Sequence, residues 1–152
     1  MTTSKIAAIL SRTDRTTNCG YTMIRCSGHL RSTQRGYVCE HFLVLEKHFG
    51  RPIQFTEEVH HIDGNRANNA IGNLIVFASK RMHLAYEHRL RAFNACGHYD
   101  WLKCGYCHEY DAPKNLSVYK RDGIVYTARH RSCYTHYLKN RGMNRLKVVG
   151  PA

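Results

Sequence analysis

Val59-His60-His61-Ile62-Asp63-Gly64-Asn65, with Asn68, Asn69, Asn73-Leu74 and His83 behind it, is the stretch that decides how this chain is read. Residues Val59 to Ile62 read as a strand, and Asp63-Gly64 is a hairpin signal on its own. Successive side chains of a strand leave on opposite faces. His60 and His61 are thus set back to back, so that one can bind a metal while the other faces a substrate. Asn73 lies 12 residues beyond His61, and His83 a further 10. Histidine pairs and asparagine-rich turns occur in ordinary loops. Adjacent histidines, a tight turn, an asparagine before a second strand and a histidine on a helix are more than a purely structural loop requires.

Downstream, Leu74-Ile75-Val76-Phe77 is a continuous apolar run of strand length. Ser79 suits the N-cap of a helix reaching about Asn94, with Met82, Ala85, Tyr86, Leu90 and Phe93 as its core-facing stripe. Upstream, Glu57-Glu58 lead into the first motif strand, Tyr21 to Cys26 alternates as a short strand, and Ser32 to Gly36 reads as a turn. From Val38, the residues Val38, Phe42, Leu45 and Phe49 recur at helical spacing, with Glu40, Glu46 and Lys47 on the surface and His41 and His48 as partly exposed bystanders. Gly50 and Pro52 end that helix.

The segment resembles the His-Asn-His (HNH) nuclease motif. The lead-in from Gly36 to Pro52 resembles that of many phage nucleases, so the likeness covers about residues 21–88. It implies a ββα-metal (His-Me finger) core and metal-assisted hydrolysis of phosphodiesters. In that frame His61 is the general base, a role that suits a neutral imidazole near pH 7. His60 and His83 are metal ligands, and Asn73 pins the loop and orients the base. Many members carry another histidine one helical turn after the helix histidine, where this chain has Glu87. His88, one residue on, is swung about 140° from His83 on an ideal helix. The third ligand is therefore Glu87, with His88 or water as alternatives, and a carboxylate favours Mg2+ or Mn2+ over zinc.

Lys and Arg number 23 against 11 acidic residues, a formal charge of +12 that fits a polyanionic partner. Arg66, Lys80, Arg81, Arg89 and Arg91 are candidates for phosphate contact in the motif region. No run of about 18 apolar residues offers a membrane span, and the N-terminus reads as no secretory signal. Seven cysteines without an export signal point to a reducing cytoplasm.

Four ligands of a closed zinc site stand in two short knuckles, Cys104-x2-Cys107 and His130-x2-Cys133, with His136 as the alternative to His130. Resemblance to zinc modules appended to phage nucleases favours His130. A hairpin about Asp122-Gly123 separates the knuckles. Cys19, Cys26, Cys39 and Cys96 lack paired spacing and read as small buried apolar residues. From Gly123 onward no residue is acidic, while Arg129, Arg131, Lys139, Arg141, Arg145 and Lys147 alternate with Tyr126, Tyr134 and Tyr137.

The expectation is an α+β protein. Residues 1–95 form the nuclease domain, with N-terminal strands and a helix before a ββα-metal core at about 57–94. Residues 96–152 form a small zinc-stabilised basic module. The expected activity is cleavage of DNA by a homing-like phage nuclease holding one catalytic divalent ion and one structural zinc. It would act mainly through the phosphate backbone, as a monomer or homodimer. The rivals are a non-catalytic zinc-ribbon DNA-binding module and a ribonuclease or packaging nuclease.

Overall fold

The computed structural model describes residues 2–121 and 123–146, so Asp122 and Lys147 lie outside the described residues, as do the side chains of Tyr126 and Arg145. By internal contacts the chain divides into two units, Met1–His83 and Leu84–Ala152. The elements run in the order α1 (Thr3–Leu10), β1 (Arg15–Asn18), β2 (Tyr21–Arg25), β3 (Tyr37–Cys39), α2 (Glu40–Phe49), β4 (Glu58–His61), β5 (Leu74–Phe77) and α3 (Lys80–Cys96). They continue with β6 (Leu102–Lys103), β7 (Tyr110–Asp111), β8 (Ser117–Arg121), β9 (Ile124–Arg129) and α4 (Arg131–Leu146). The architecture is α+β.

In the first unit β1, β2 and β3 form an antiparallel sheet, with Ile24 opposite Val38. The inward side chains of that sheet meet α1 and α2: Ile6, Ile24, Cys26, Val38 and Leu43 make one buried cluster. Each such aliphatic side chain contributes on the order of 1.5–3 kcal/mol of burial. Val38 belongs to β3 and not to the helix, because its partner Ile24 draws it into the sheet. The helical stripe is displaced accordingly. Leu43 and Leu45 are buried whereas Phe49 is 46% exposed. Gly50 ends α2 in the left-handed conformation (φ 67°), as a C-terminal glycine does, and its N–H bonds to the Glu46 carbonyl.

Two residues expected on the surface of α2 are inside. Glu46 is 4% exposed because its carboxylate is fully engaged, with one oxygen 2.8 Å from His29 Nε2 and the other 3.0 Å from the Ile53 N–H. His41 is also 4% exposed, wedged against Tyr21, Phe42 and His61. Cys26 is buried but Cys19 is exposed, at a left-handed turn position (φ 49°) between β1 and β2.

Strands β4 and β5 form a separate antiparallel hairpin with His60 opposite Ile75 and His61 opposite Leu74. Leu74 packs with Leu45 and Ile53 into a second buried cluster, which fixes the hairpin against α2. Ser79 precedes α3, and its hydroxyl accepts from the Met82 N–H at 3.4 Å. The expected apolar stripe of α3 is not a buried face. Met82 and Phe93 are 53% and 40% exposed, Ala85 is exposed, Tyr86 and Leu90 are half-buried, and only Ala92 is buried among the described residues of the helix.

In the second unit β6 pairs with β7 and β8 with β9, antiparallel in both cases. Its buried cluster is small, Cys104, Leu116 and Ala128, flanked by half-buried Leu102, Val118 and Val125.

Candidate active site and metal-binding knuckle

The hairpin sends His60 and His61 to opposite sides. His60 Nδ1 lies 3.1 Å from His83 Nε2, and Phe77 stacks on the His83 ring at 5.4 Å and 14° between planes. His61 faces the other way, onto the rings of Tyr21 and His41, and is 6% exposed. Its Nε2 lies 3.1 Å from Asn69 Oδ1. Burial is the main reason the His41 ring is held neutral, with its value pushed down to about 3.

The β4–β5 loop is closed by its own side chains. Asp63 accepts from the Asn65 N–H and from the amides of Asn68 and Asn73, at 2.7–2.9 Å. The Asn68 and Asn73 amides, then the Asn65 N–H, hold its carboxyl below the ordinary carboxylate range. Asn73 also accepts from the Asp63 N–H at 3.1 Å and donates to the Asn68 carbonyl at 2.9 Å, while its own carbonyl receives the Ile62 N–H. The amide thus ties both ends of the loop at once.

A family model described as HNH endonuclease matches residues 39–84. The chain carries an HNH domain. No curated protein and no solved structure gives a significant match. The matched residues run from the last position of β3 through the β4–β5 hairpin to the helix bearing His83, so they contain every motif residue up to that histidine.

Two imidazole nitrogens 3.1 Å apart fit the HNH domain's expected ion. Ligand nitrogens at about 2.0–2.1 Å from one metal and at right angles to each other would stand about 3.0 Å apart. Glu87 stands one turn beyond His83 on α3. Its carboxylate also receives Arg91 at 3.4 Å. His88, one residue on, is exposed. Lys80 and Arg81 are exposed in the first turn of α3, as are Arg89 and Arg91 further along the helix. Arg66 lies 5.0 Å over the Tyr21 ring and donates to the Cys19 carbonyl.

The second unit holds a Cys3His cluster. The ligand atoms of Cys104, Cys107, His130 and Cys133 lie within 4.8 Å of one another. His130 Nδ1 is 3.4 Å from Cys107 Sγ and 3.7 Å from Cys133 Sγ. Tetrahedral zinc with bonds of about 2.3 Å to sulfur and 2.0 Å to nitrogen separates such ligands by about 3.6 Å, so the donor set fits. Burial raises the Cys104 thiol, but the backbone amides of Cys107, His130 and Tyr106 outweigh it and bring it down to about 6, towards the thiolate a metal takes. His136 is absent from the cluster and is paired with Asn140 along α4 at 3.0 Å.

Four contributors escaped the sequence reading. Asp111 Oδ2 lies 3.2 Å from His130 Nε2, the carboxylate–histidine pairing that turns the opposite ring nitrogen to a metal. Asn69 and His41 meet His61, and Glu40 holds Asn69. Locally Asn69 reads only as a turn residue, and nothing nearby marks Glu40 as its partner. Arg129 lies 3.7 Å from the Tyr134 ring centroid, and Arg131, Lys139 and Arg141 are exposed on α4.

Proposed function

We propose that this chain is a metal-dependent endonuclease that hydrolyses DNA phosphodiester bonds, phage-type and homing-like in role. The observation that carries the reading is the division of the histidines within the HNH domain: His60 meets His83 on one side of β4, and His61 stands on the other.

His60 and His83, with Glu87 one turn along the same helix, would hold the ion. The carboxylate favours Mg2+ or Mn2+. When bound, a divalent ion neutralises charge on the scissile phosphate and on the departing 3′-oxygen. His61 accepts a proton from the attacking water as its oxygen bonds to phosphorus and the bond from phosphorus to the 3′-oxygen breaks. Asn73 keeps the loop that carries His61 in one shape.

Residues 1–95 form the nuclease domain on this reading and residues 96–152 a module for DNA contact. Cys104, Cys107, His130 and Cys133 hold a structural zinc there, which substitutes for a small core, three buried residues among those described. Arg129, Arg131, Lys139 and Arg141, with Arg66, Lys80 and Arg81, supply the positive charge for phosphates. Seven cysteines without a disulfide suit the reducing cytoplasm, and among the described residues no helix is long and apolar enough to cross a membrane.

The test is plasmid nicking by purified protein, with metal analysis and with duplex, single-stranded and RNA substrates side by side. His61→Ala should remove Mg2+-dependent nicking by about 100-fold or more while DNA affinity survives. Unchanged nicking would leave the chain as a zinc-stabilised DNA-binding module.

A further inference from the structure

We infer that Asn69 is a positioning residue for His61, fixing which ring nitrogen carries the hydrogen and which presents its lone pair, and that Glu40 sets the orientation of Asn69. The inference rests on the reading of His61 as the general base.

The chain of contacts permits one assignment. Asn69 Nδ2 lies 2.8 Å from Glu40 Oε2. An ionised carboxylate only accepts, so the nitrogen end of the amide must face Glu40 and its oxygen must face His61. That oxygen is 3.1 Å from His61 Nε2 and also only accepts, so Nε2 carries the hydrogen. A neutral imidazole has one such hydrogen, which leaves the lone pair on Nδ1. His61 Nδ1 has no hydrogen-bond partner among the described residues.

The far end of the chain is anchored. Glu40 is the first residue of α2, and its other oxygen receives Arg15 Nε at 2.9 Å. Arg15 also donates to the carbonyls of Leu10 and Arg12. The acceptor beside His61 is thus held by a carboxylate and a guanidinium on separate elements, and Tyr21 and His41 confine the ring from the side. Asn69 therefore chooses which ring nitrogen presents its lone pair to water.

The test uses the full chain, single-turnover plasmid nicking with Mg2+, and ring-nitrogen NMR of His61. Wild type should show the Nε2–H form. Asn69→Ala should lower the plateau rate about 10- to 100-fold with DNA affinity retained. It should also lose the single Nε2–H form in the NMR spectrum, because the oxygen that selects it is gone. The pair Asn69→Asp with Glu40→Gln rebuilds the contacts with the carboxylate now at Nε2. It should recover rate relative to Asn69→Ala and restore the Nε2–H form.

An Nδ1–H form in wild type overturns the inference, as does an Asn69→Ala protein with the wild-type rate and tautomer. If Asn69→Ala does not fold, the double variant and the wild-type NMR form still decide. His61→Ala keeps the two claims apart. An inactive His61→Ala beside a wild-type-like Asn69→Ala removes only the role of Asn69, whereas an active His61→Ala removes the base itself.

Discussion

Acid should loosen the HNH domain through His41, a residue that touches neither of the proposed ions. The native fold buries this ring and holds its value near 3, against an ordinary 6.5. The native state therefore prefers the neutral ring, and unfolded chains bind an extra proton below the ordinary value. Stability from this residue is complete above pH 6.5 and is lost progressively as pH falls towards 3. At about pH 5 the unfolded ring is about 1.5 units below its midpoint and the native ring is still neutral, which costs about 2 kcal/mol relative to about pH 7.5. Native-state hydrogen exchange at the Ile24 and Leu43 amides, both inside the His41 unit, reads the opening free energy at the two pH values. In His41→Leu the loss between them should shrink by about 2 kcal/mol, whatever the variant's absolute stability. An equal loss in wild type and variant would refute the claim that folding keeps His41 neutral.

Other perturbations separate the structural roles. Glu46→Ala strands the His29 ring N–H and the Ile53 N–H in the core, and should cost about 3 kcal/mol in chemical denaturation, with Glu46→Gln milder. Gly50→Ala meets no atom within 4 Å but must adopt φ 67°; thermal unfolding should show a loss of about 1 kcal/mol from backbone strain alone. Cys104→Ser should abolish the tightly held zinc and the exchange protection of the β8–β9 hairpin. Asp111→Asn should keep the zinc but weaken its binding about 10- to 100-fold in chelator competition.

Much of this architecture is legible in the sequence where one local rule acts alone. Leu74 to Phe77 is an uninterrupted apolar run and is a strand at those bounds, and Gly50 ends a helix because few residues accept its backbone angles. The cysteine knuckles come together through short spacing, with a hairpin to return the chain. Reading fails where a distant partner decides. Val38 has helical periodicity but answers to Ile24, and Glu46 is inside because His29 and Ile53 supply its donors. The family likeness marks Asn73 as the loop tie, but an asparagine offers the same groups in a turn or beside a catalytic ring, so the sequence does not reveal that Asn69 meets His61. The apolar stripe of α3 shows the limit of periodicity, which marks a face without saying that anything covers it.

The knot of hydrogen bonds around Asp63 also bears on how the protein ages. Aspartate followed by glycine is the pair at which a loose backbone most readily cyclises to a succinimide and reopens with a kinked isopeptide link. That reaction needs a protonated, mobile carboxyl and a free glycine nitrogen. Here the carboxyl is ionised and triply bonded, and the Gly64 N–H is committed to the His61 carbonyl at 3.0 Å. The arrangement that holds the loop in register thus protects its weakest covalent link during storage, for as long as the hairpin remains folded.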